Sequence, residues 1–330
     1  MIPPVQSITT MENNFSLQQF HTTELSHQLV EGICSLFEET FHKTKTPEQF
    51  LRQFSNTGFP GGSYHVIAEK NGVVLATFSF IPYRYNVKGT ITKCVLGSDL
   101  IVSPKINLGI GGILNMYRFA VQTLKKDGFK FLYGFPNNNM YDYDKKIMRM
   151  KDVCVFEFYV LPINLAKIKK ILLLIQWFYY PCVWLFLQIL SVFASRKPVL
   201  FPIEKIDDKQ FRDSRYNDLH HWVSLDEKSE AVYTIYQEGN TPIAYILDIT
   251  PVSPWNFYRA FIKIASLTKT DAAIIAYPAN RLHFFTPLRV PQRFLPRKLH
   301  MVIQEFNNPT SDALSNAKDW NVNLSNMDVR

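Results

Sequence analysis

The sequence predicts a mixed α/β fold: a largely antiparallel sheet with flanking helices, built twice, with an apolar helical insertion between the halves. Three observations lead there. Residues 60–160 alternate between β-branched or aromatic runs and segments of helical period. A series in the same order follows residue 204, and between the two no Asp, Glu, Lys, Arg or His occurs from Ile171 to Ala194. With 47% hydrophobic and 19% charged residues among 330, the chain has the apolar mass for large cores, which excludes a disordered polymer. The expected segments are 1–162, 163–203 and 204–330.

Taken in order, Thr23 to Phe41 places Leu25, Leu29, Ile33, Leu36 and Phe37 near helical spacing, so an amphipathic helix is expected. Tyr64–Glu69 and Val73–Tyr83 read as strands joined across Lys70-Asn71-Gly72, and Thr90–Val102 as a third. Gly109-Ile110-Gly111-Gly112 opens a helix to about Lys126. A buried strand at Phe129–Phe135, a helix at Asn138–Met150 and a strand at Val153–Leu161 follow. In the second half, Phe201–Phe211 and Arg215–Trp222 read as helical. A hairpin of Glu230–Glu238 and Pro242–Ile249 turns at Gly239-Asn240, before a helix at Ala260–Thr268 and a strand at Ala272–Tyr277. The second half lacks a glycine loop, since Pro251-Val252-Ser253-Pro254-Trp255-Asn256-Phe257 stands in its place.

The net charge of +8 is not spread evenly: it is +3 over 1–162, +5 over 163–203 and zero over 204–330. Lys167, Lys169, Lys170, Arg196 and Lys197 bracket the uncharged window, which is a membrane-edge pattern and not a nucleic-acid stripe. Trp177, Tyr179, Tyr180, Pro181 and Trp184 crowd the middle of the window, whereas Trp and Tyr favour the headgroup level. The expectation is therefore an in-plane or hairpin pair of helices, about 165–180 and 182–194, with a membrane span and a protein-buried pair as the alternatives. Cys34, Cys94, Cys154 and Cys182 are scattered singly, so neither a disulfide framework nor a metal site is expected. No secretory signal pattern is read at the N-terminus, and a cytoplasmic, membrane-attached protein is expected.

The junction at 102–112 carries the clearest chemistry. A strand ends, the chain turns at Pro104 and a helix begins through glycines, which lets backbone amides approach a phosphate or pyrophosphate. No Gly-Lys-Ser/Thr follows, and Leu114 stands where a dinucleotide fingerprint has its third glycine, so neither of those nucleotide loops is present. As the bland alternative, glycines at a helix start serve packing alone.

Val102-Ser103-Pro104, a short turn, Gly109-Ile110-Gly111 and a helix, followed some 25 residues later by Gly134-Phe135-Pro136-Asn137, resembles the GCN5-related N-acyltransferase superfamily. In particular it resembles the bacterial tandem-domain acyltransferases found with cell-surface polysaccharide genes. The stretch GFPNNNMYDYDKKIMRMKDV is similar to their second motif, and Trp320 to Asp328 is similar to their closing strand and aspartate turn. Ile106 and Arg149 depart from the pattern, where an Arg or Gln and a glycine are usual.

The resemblance implies two acyltransferase-like domains, the second degenerate. It also implies transfer of an acyl group from acetyl-CoA or another acyl-CoA to an amine in a ternary complex, without a metal. The acyl-pantetheine arm would pair with the backbone of Leu100, Ile101 and Val102. The amides of Leu108, Gly109, Ile110, Gly111 and Gly112 would hold the pyrophosphate. Asp99 would be the base or amine-orienting carboxylate, and Tyr141 or Tyr143 the acid for the leaving sulfur. Asn137 and Asn139 would bond the pantetheine amides or cap the helix. The acceptor implied is an amino sugar or another cell-envelope precursor amine. A Fem-type transfer from aminoacyl-tRNA would need a basic groove, which the neutral second half disfavours. A non-catalytic membrane-surface scaffold is the alternative that Ile106 and Arg149 favour.

Overall fold

A computed structural model describes residues 7–10, 15–106, 108–295, 298–308 and 312–327, so Asp328 lies outside the described residues. The first half contributes β1 (Ser7–Thr10), β2 (Phe15–His21), α1 (His27–Phe41), α2 (Pro47–Ser55), β3 (Tyr64–Lys70), β4 (Val73–Val87) and β5 (Thr90–Val102). It continues through α3 (Gly109–Lys126), β6 (Phe131–Gly134), α4 (Asn138–Lys146), β7 (Lys151–Val155) and β8 (Glu157–Pro162). The insertion holds α5 (Leu165–Ile168) and α6 (Leu173–Phe193). The second half holds β9 (Ile203–Lys205), α7 (Lys209–Arg215), β10 (His221–Ser224), β11 (Glu230–Glu238), β12 (Thr241–Thr250), α8 (Pro254–Thr268), β13 (Ile274–Ala279), β14 (Arg289–Val290) and β15 (His300–Glu305).

Local chemistry accounts for the boundaries. The Ser26 hydroxyl caps α1 by accepting from the Leu29 amide, and Thr46 and Gln49 form a capping box ahead of Pro47 at the start of α2. Asn71 and Gly72 both adopt positive φ (52° and 79°), as do Lys88 and Gly89 (51° and 87°), which suits the two tight hairpins joining β3, β4 and β5. α8 begins earlier than its apolar period suggests, because Ser253 caps it and Pro254 fits its first position.

Among the described residues the strands form two sheets. The first runs β1-β2-β3-β4-β5-β6-β15-β7, with β9 added beside β4, and the second runs β10-β11-β12-β13-β8-β14. Three strands therefore change halves, one of them β9, which pairs with β4 of the first half. β8, from the first half, lies between β13 and β14, and β15, from near the C-terminus, lies between β6 and β7. A second seam joins the halves: Trp320 is fully buried against Tyr85 and Phe131, and the buried Arg215 donates to the carbonyls of Ser325, Leu324 and Met327.

Two expectations are corrected. In the second-half stretches expected to be helical, only Lys209–Arg215 is an α-helix: Ile203–Lys205 is a strand paired with β4, and His221–Ser224 is a strand paired with β11 that buries Val223 and leaves His221, Trp222 and Ser224 exposed. The insertion is not a helix pair broken at Pro181: α6 runs unbroken from Leu173 to Phe193 with Pro181 inside it. The missing proline donor is offset by packing along one face, where Val183, Leu187, Leu190 and Ala194 meet the core that α8 anchors. The remaining faces leave Leu174 (85%), Trp177 (81%) and Phe193 (84%) in the open.

Candidate functional site

β5 and β6 run parallel from Cys94 beside Phe131 to Gly97 beside Gly134, and their pairing ends there. The cause lies on the other edge of β5. Thr77 faces Ile101 and Ser79 faces Ser98, so Asp99 and Leu100 together oppose Phe78 as a β-bulge. Asp99 takes up the extra residue with φ 46°, a left-handed conformation that aspartate tolerates better than most side chains. The bulge turns β5 away from β6 and opens a wedge of about 270 Å³. The last paired residues are both glycines, and the side chains of Phe78 and Leu132 stand beside Gly97 there.

Ser98, Asp99 and Leu100 form one wall of the wedge, and Phe135, Pro136 and Asn137 form the other. Past Gly97, the described residues place no strand against β5 on the side facing β6, so an extended ligand could pair with that edge. Ile101 is buried and paired with Thr77 of β4, and the Val102 carbonyl accepts from the Thr40 hydroxyl at 3.4 Å.

α3 starts at Gly109, seven residues after Val102 ends β5. Its first turn carries no side-chain cap, and the first intrahelical donor is the Gly112 amide, which donates to Leu108 at 3.1 Å. The amides of Ile110 and Gly111 precede that donor and face no helical acceptor. Gly111 has open space where a Cβ would stand, whereas at Gly112 a Cβ would come within 2.7 Å of the buried Leu108 side chain. The glycines thus divide: Gly112 serves packing, and Gly111 keeps the amide edge bare. Gly109, with φ 58°, starts the turn.

Asp99 is not isolated: the Lys45 ammonium reaches its Oδ2 at 2.9 Å and lies over the rings of Phe37 and Phe54 at 4.8 and 5.4 Å. On α4, Asn137 caps the helix by accepting from the Met140 amide at 3.0 Å, and Asn139 is exposed. Tyr141 donates to Asp152 Oδ1 at 2.8 Å and packs its ring on His300, 4.2 Å between centroids. Burial, with that carboxylate beside it, pushes the phenol up to about 12. Neither Tyr141 nor Tyr143 lines the wedge.

The residue that α4 does turn into the wedge is Asp144, one turn after Met140. It is 8% exposed, with Met148 and Met150 also lining the space, and among the described residues no hydrogen bond or ion pair reaches its carboxyl group. Desolvation alone raises it to about 7. The sequence signal for it was the four-residue spacing Met140, Asp144, Met148, a helical face on which the tyrosines do not lie. Arg149 has φ 57°, so the backbone there keeps the left-handed form that a glycine adopts freely.

The second sheet has a parallel junction of the same kind, with Ile243 to Tyr245 of β12 beside Ile274 to Ala276 of β13. There the opening is occupied from within. Asn323 bridges to Ala279, the Asn280 amide donates to Val322 at 2.8 Å, and the Asn323 side chain donates to Asp248 at 2.8 Å. Asp248 also pairs with Lys205 at 2.6 Å, both almost fully buried. Met327, at the end of this plug, lines the open wedge of the first sheet.

No family model matches the sequence, and no curated protein matches it. Solved structures do. The chain is similar to a GCN5-related N-acetyltransferase from Anabaena variabilis, with 10% identity, TM-score 0.56, and 88% of this chain and 73% of that one covered. It is similar to one from Kribbella flavida, with 9% identity, TM-score 0.57, and coverage of 88% and 71%. It is also similar to an Enterococcus faecalis protein described as a probable N-acyltransferase, with 12% identity, TM-score 0.54, and coverage of 88% and 72%. With the wedge between β5 and β6 and the glycine-led helix after it, the chain has the fold of the GCN5-related N-acetyltransferases.

Proposed function

We propose that the protein is an acyl-CoA-dependent N-acyltransferase that works at a membrane surface on an amine of an amino sugar or another cell-envelope precursor. The observation that carries this reading is the bulge at Asp99–Leu100, which opens a backbone edge to the pantetheine arm directly upstream of bare amides that suit a pyrophosphate. In the reaction, the acceptor nitrogen attacks the thioester carbonyl, the C–N bond forms and the C–S bond breaks. The ammonium proton passes to Asp99, and Asp144 gives a proton to the leaving thiolate. Both substrates sit in the wedge together, so the enzyme's contribution is positioning and proton transfer. The segments 1–162 and 204–330 divide the work, the first binding acyl-CoA and the second shaping the acceptor side.

A coenzyme A titration tests the reading, with Gly111→Val as its control. That Cβ meets nothing in the protein, so the variant should fold normally while its side chain covers the amides. Loss of one charge-assisted hydrogen bond to phosphate weakens binding by roughly 10- to 100-fold. Unchanged affinity would remove the loop from the site.

The attachment to a membrane rests on α6. Lys170–Phe193 is long and apolar enough to cross a bilayer by length and composition. Yet the helix is tied to the globular body near both ends. The Gln176 side chain donates to the Ile163 carbonyl at 2.9 Å, and Leu187 and Ser191 are buried. A helix held along its length lies flat, with its free apolar faces in the interface and Lys167, Lys169, Lys170, Arg196 and Lys197 near the headgroups. Each of Leu174, Trp177 and Phe178 contributes about 2 kcal/mol when buried in lipid. Replacing all three with Gln should move the protein from sedimenting vesicles of anionic lipid to the supernatant. Retention of the triple variant on vesicles would contradict the assignment.

A further inference from the structure

α6 ends against the start of α8, and that junction carries charge the fold does not neutralise. The Trp255 amide, in the first turn of α8, donates to the Ser195 carbonyl at 3.1 Å. This brings the next residue, Arg196, onto the Trp255 ring, its guanidinium 4.7 Å from the centroid. Arg259 stands one turn further along α8 and lays its own guanidinium over the same ring at 5.4 Å. The two like charges therefore lie within about one Debye length, about 10 Å at 0.1 M salt, and repel. Among the described residues neither guanidinium donates a hydrogen bond or forms an ion pair. Asp226 lies near enough to Arg196 to be stabilised by it, but the Lys228 amide and Ser229 hold that carboxylate first.

The chain around this cluster is apolar and open. Val192, Phe193 and Leu200 flank Arg196 and Lys197, and all three are exposed. Water favours neither feature, since exposed apolar side chains and adjacent guanidiniums both cost free energy there. A membrane interface suits both. Its hydrocarbon edge takes Phe193 and Leu200, its headgroup level is where indoles concentrate, and its phosphates carry the opposite charge. A guanidinium binds phosphate through two parallel N–H···O bonds, so a phosphodiester set between Arg196 and Arg259 answers both charges.

We infer that Arg196, Arg259 and Trp255 form a binding site for the phosphodiester headgroup of an anionic membrane lipid. Trp255 holds the two guanidiniums side by side, and the headgroup phosphate replaces their repulsion with charge-assisted hydrogen bonds. Because Trp255 and Arg259 belong to α8, the site fixes the second half, and not α6 alone, to the lipid surface. This rests on the membrane reading of α6 and adds the chemistry of the lipid to it.

The test is sedimentation of the full chain with vesicles of phosphatidylcholine alone and with vesicles that also contain phosphatidylglycerol. The parent is expected to bind the phosphatidylglycerol vesicles at least about 100-fold more tightly. Arg196→Gln with Arg259→Gln should weaken that binding about 100-fold and leave binding to phosphatidylcholine unchanged, which shows the apolar attachment intact. Lys169→Gln with Lys170→Gln removes the same charge at the other end of α6 and should weaken it about tenfold or less. Equal losses in the two double variants would show a diffuse cationic belt and overturn the inference. So would a parent without preference between the vesicles, or an arginine double variant that keeps the preference. Failure of the parent to bind either vesicle would instead remove the membrane reading of α6 beneath it.

Discussion

Residues 1–162 expressed alone are expected to remain without fixed tertiary structure, although they contain every residue of the wedge except Met327. The reason is the strand exchange. Val302 to Glu305 of β15 pair with Phe131 to Gly134 of β6 on one side, and β15 is the strand against which β7 is held. Without β15, β6 loses a neighbour and the terminal strand β7 is cut off from the sheet, and Met301, Val302 and Ile303, at most 2% exposed in the whole protein, leave the core. Three such side chains contribute roughly 5–8 kcal/mol by burial, comparable with the roughly 5–15 kcal/mol that holds a domain together. The loss is mutual, since β8 would be left without β13 and β14. The intact chain should unfold in one cooperative transition followed by circular dichroism. The fragment should show poor amide dispersion by NMR, and co-expression with 163–330 should restore it. A fragment 1–162 that unfolds cooperatively with a native near-UV spectrum would show that β15 is dispensable and the exchange energetically minor.

That coupling explains which features could be read from residues alone. Local signals carried well: Asn71-Gly72 states its hairpin and the glycines at 109–112 mark a helix start, because each acts within one turn of chain. Partner choice between distant strands has no such local signature. Glu157–Pro162 looks the same whether it closes its own sheet or the other. Pro181 does not break its helix for a related reason: its cost is local, while the packing that offsets it comes from α8. The plug formed by residues 320–327 was visible only as a motif, and its role in filling the second sheet's opening depends on Asp248 and Asn280, about 40 or more residues away. At the wedge, Asp99 could be anticipated from its place at the strand end. Residue type points to Tyr141 and Tyr143 on α4, whereas the helical face decides which side chain enters the space, and that is Asp144.

Asp144→Asn should separate catalysis from stability in opposite directions. Asp144 is buried without a cation, and desolvation raises its carboxyl to about 7, against about 3.9 for a free aspartate. With the folded value above the unfolded one, the protonated carboxyl's stabilising contribution is complete below about pH 4 and is lost as pH rises to about 7. Above that, the fold carries an ionised carboxylate in an apolar wall, a cost on the order of 4 kcal/mol. Asparagine has the same shape and does not titrate. Urea denaturation should therefore find the variant more stable than the parent at pH 8.5 and nearly equal at pH 4. Turnover should move the other way. Loss of the acid that protonates the thiolate lowers it by roughly 10²-fold, and the fall in rate that the parent shows as pH rises through about 7 should disappear from the variant's profile. A variant with full turnover and an unaltered pH profile would show that Asp144 passes no proton. Equal stability at pH 8.5 would show that its carboxyl is not held in the protonated form by burial.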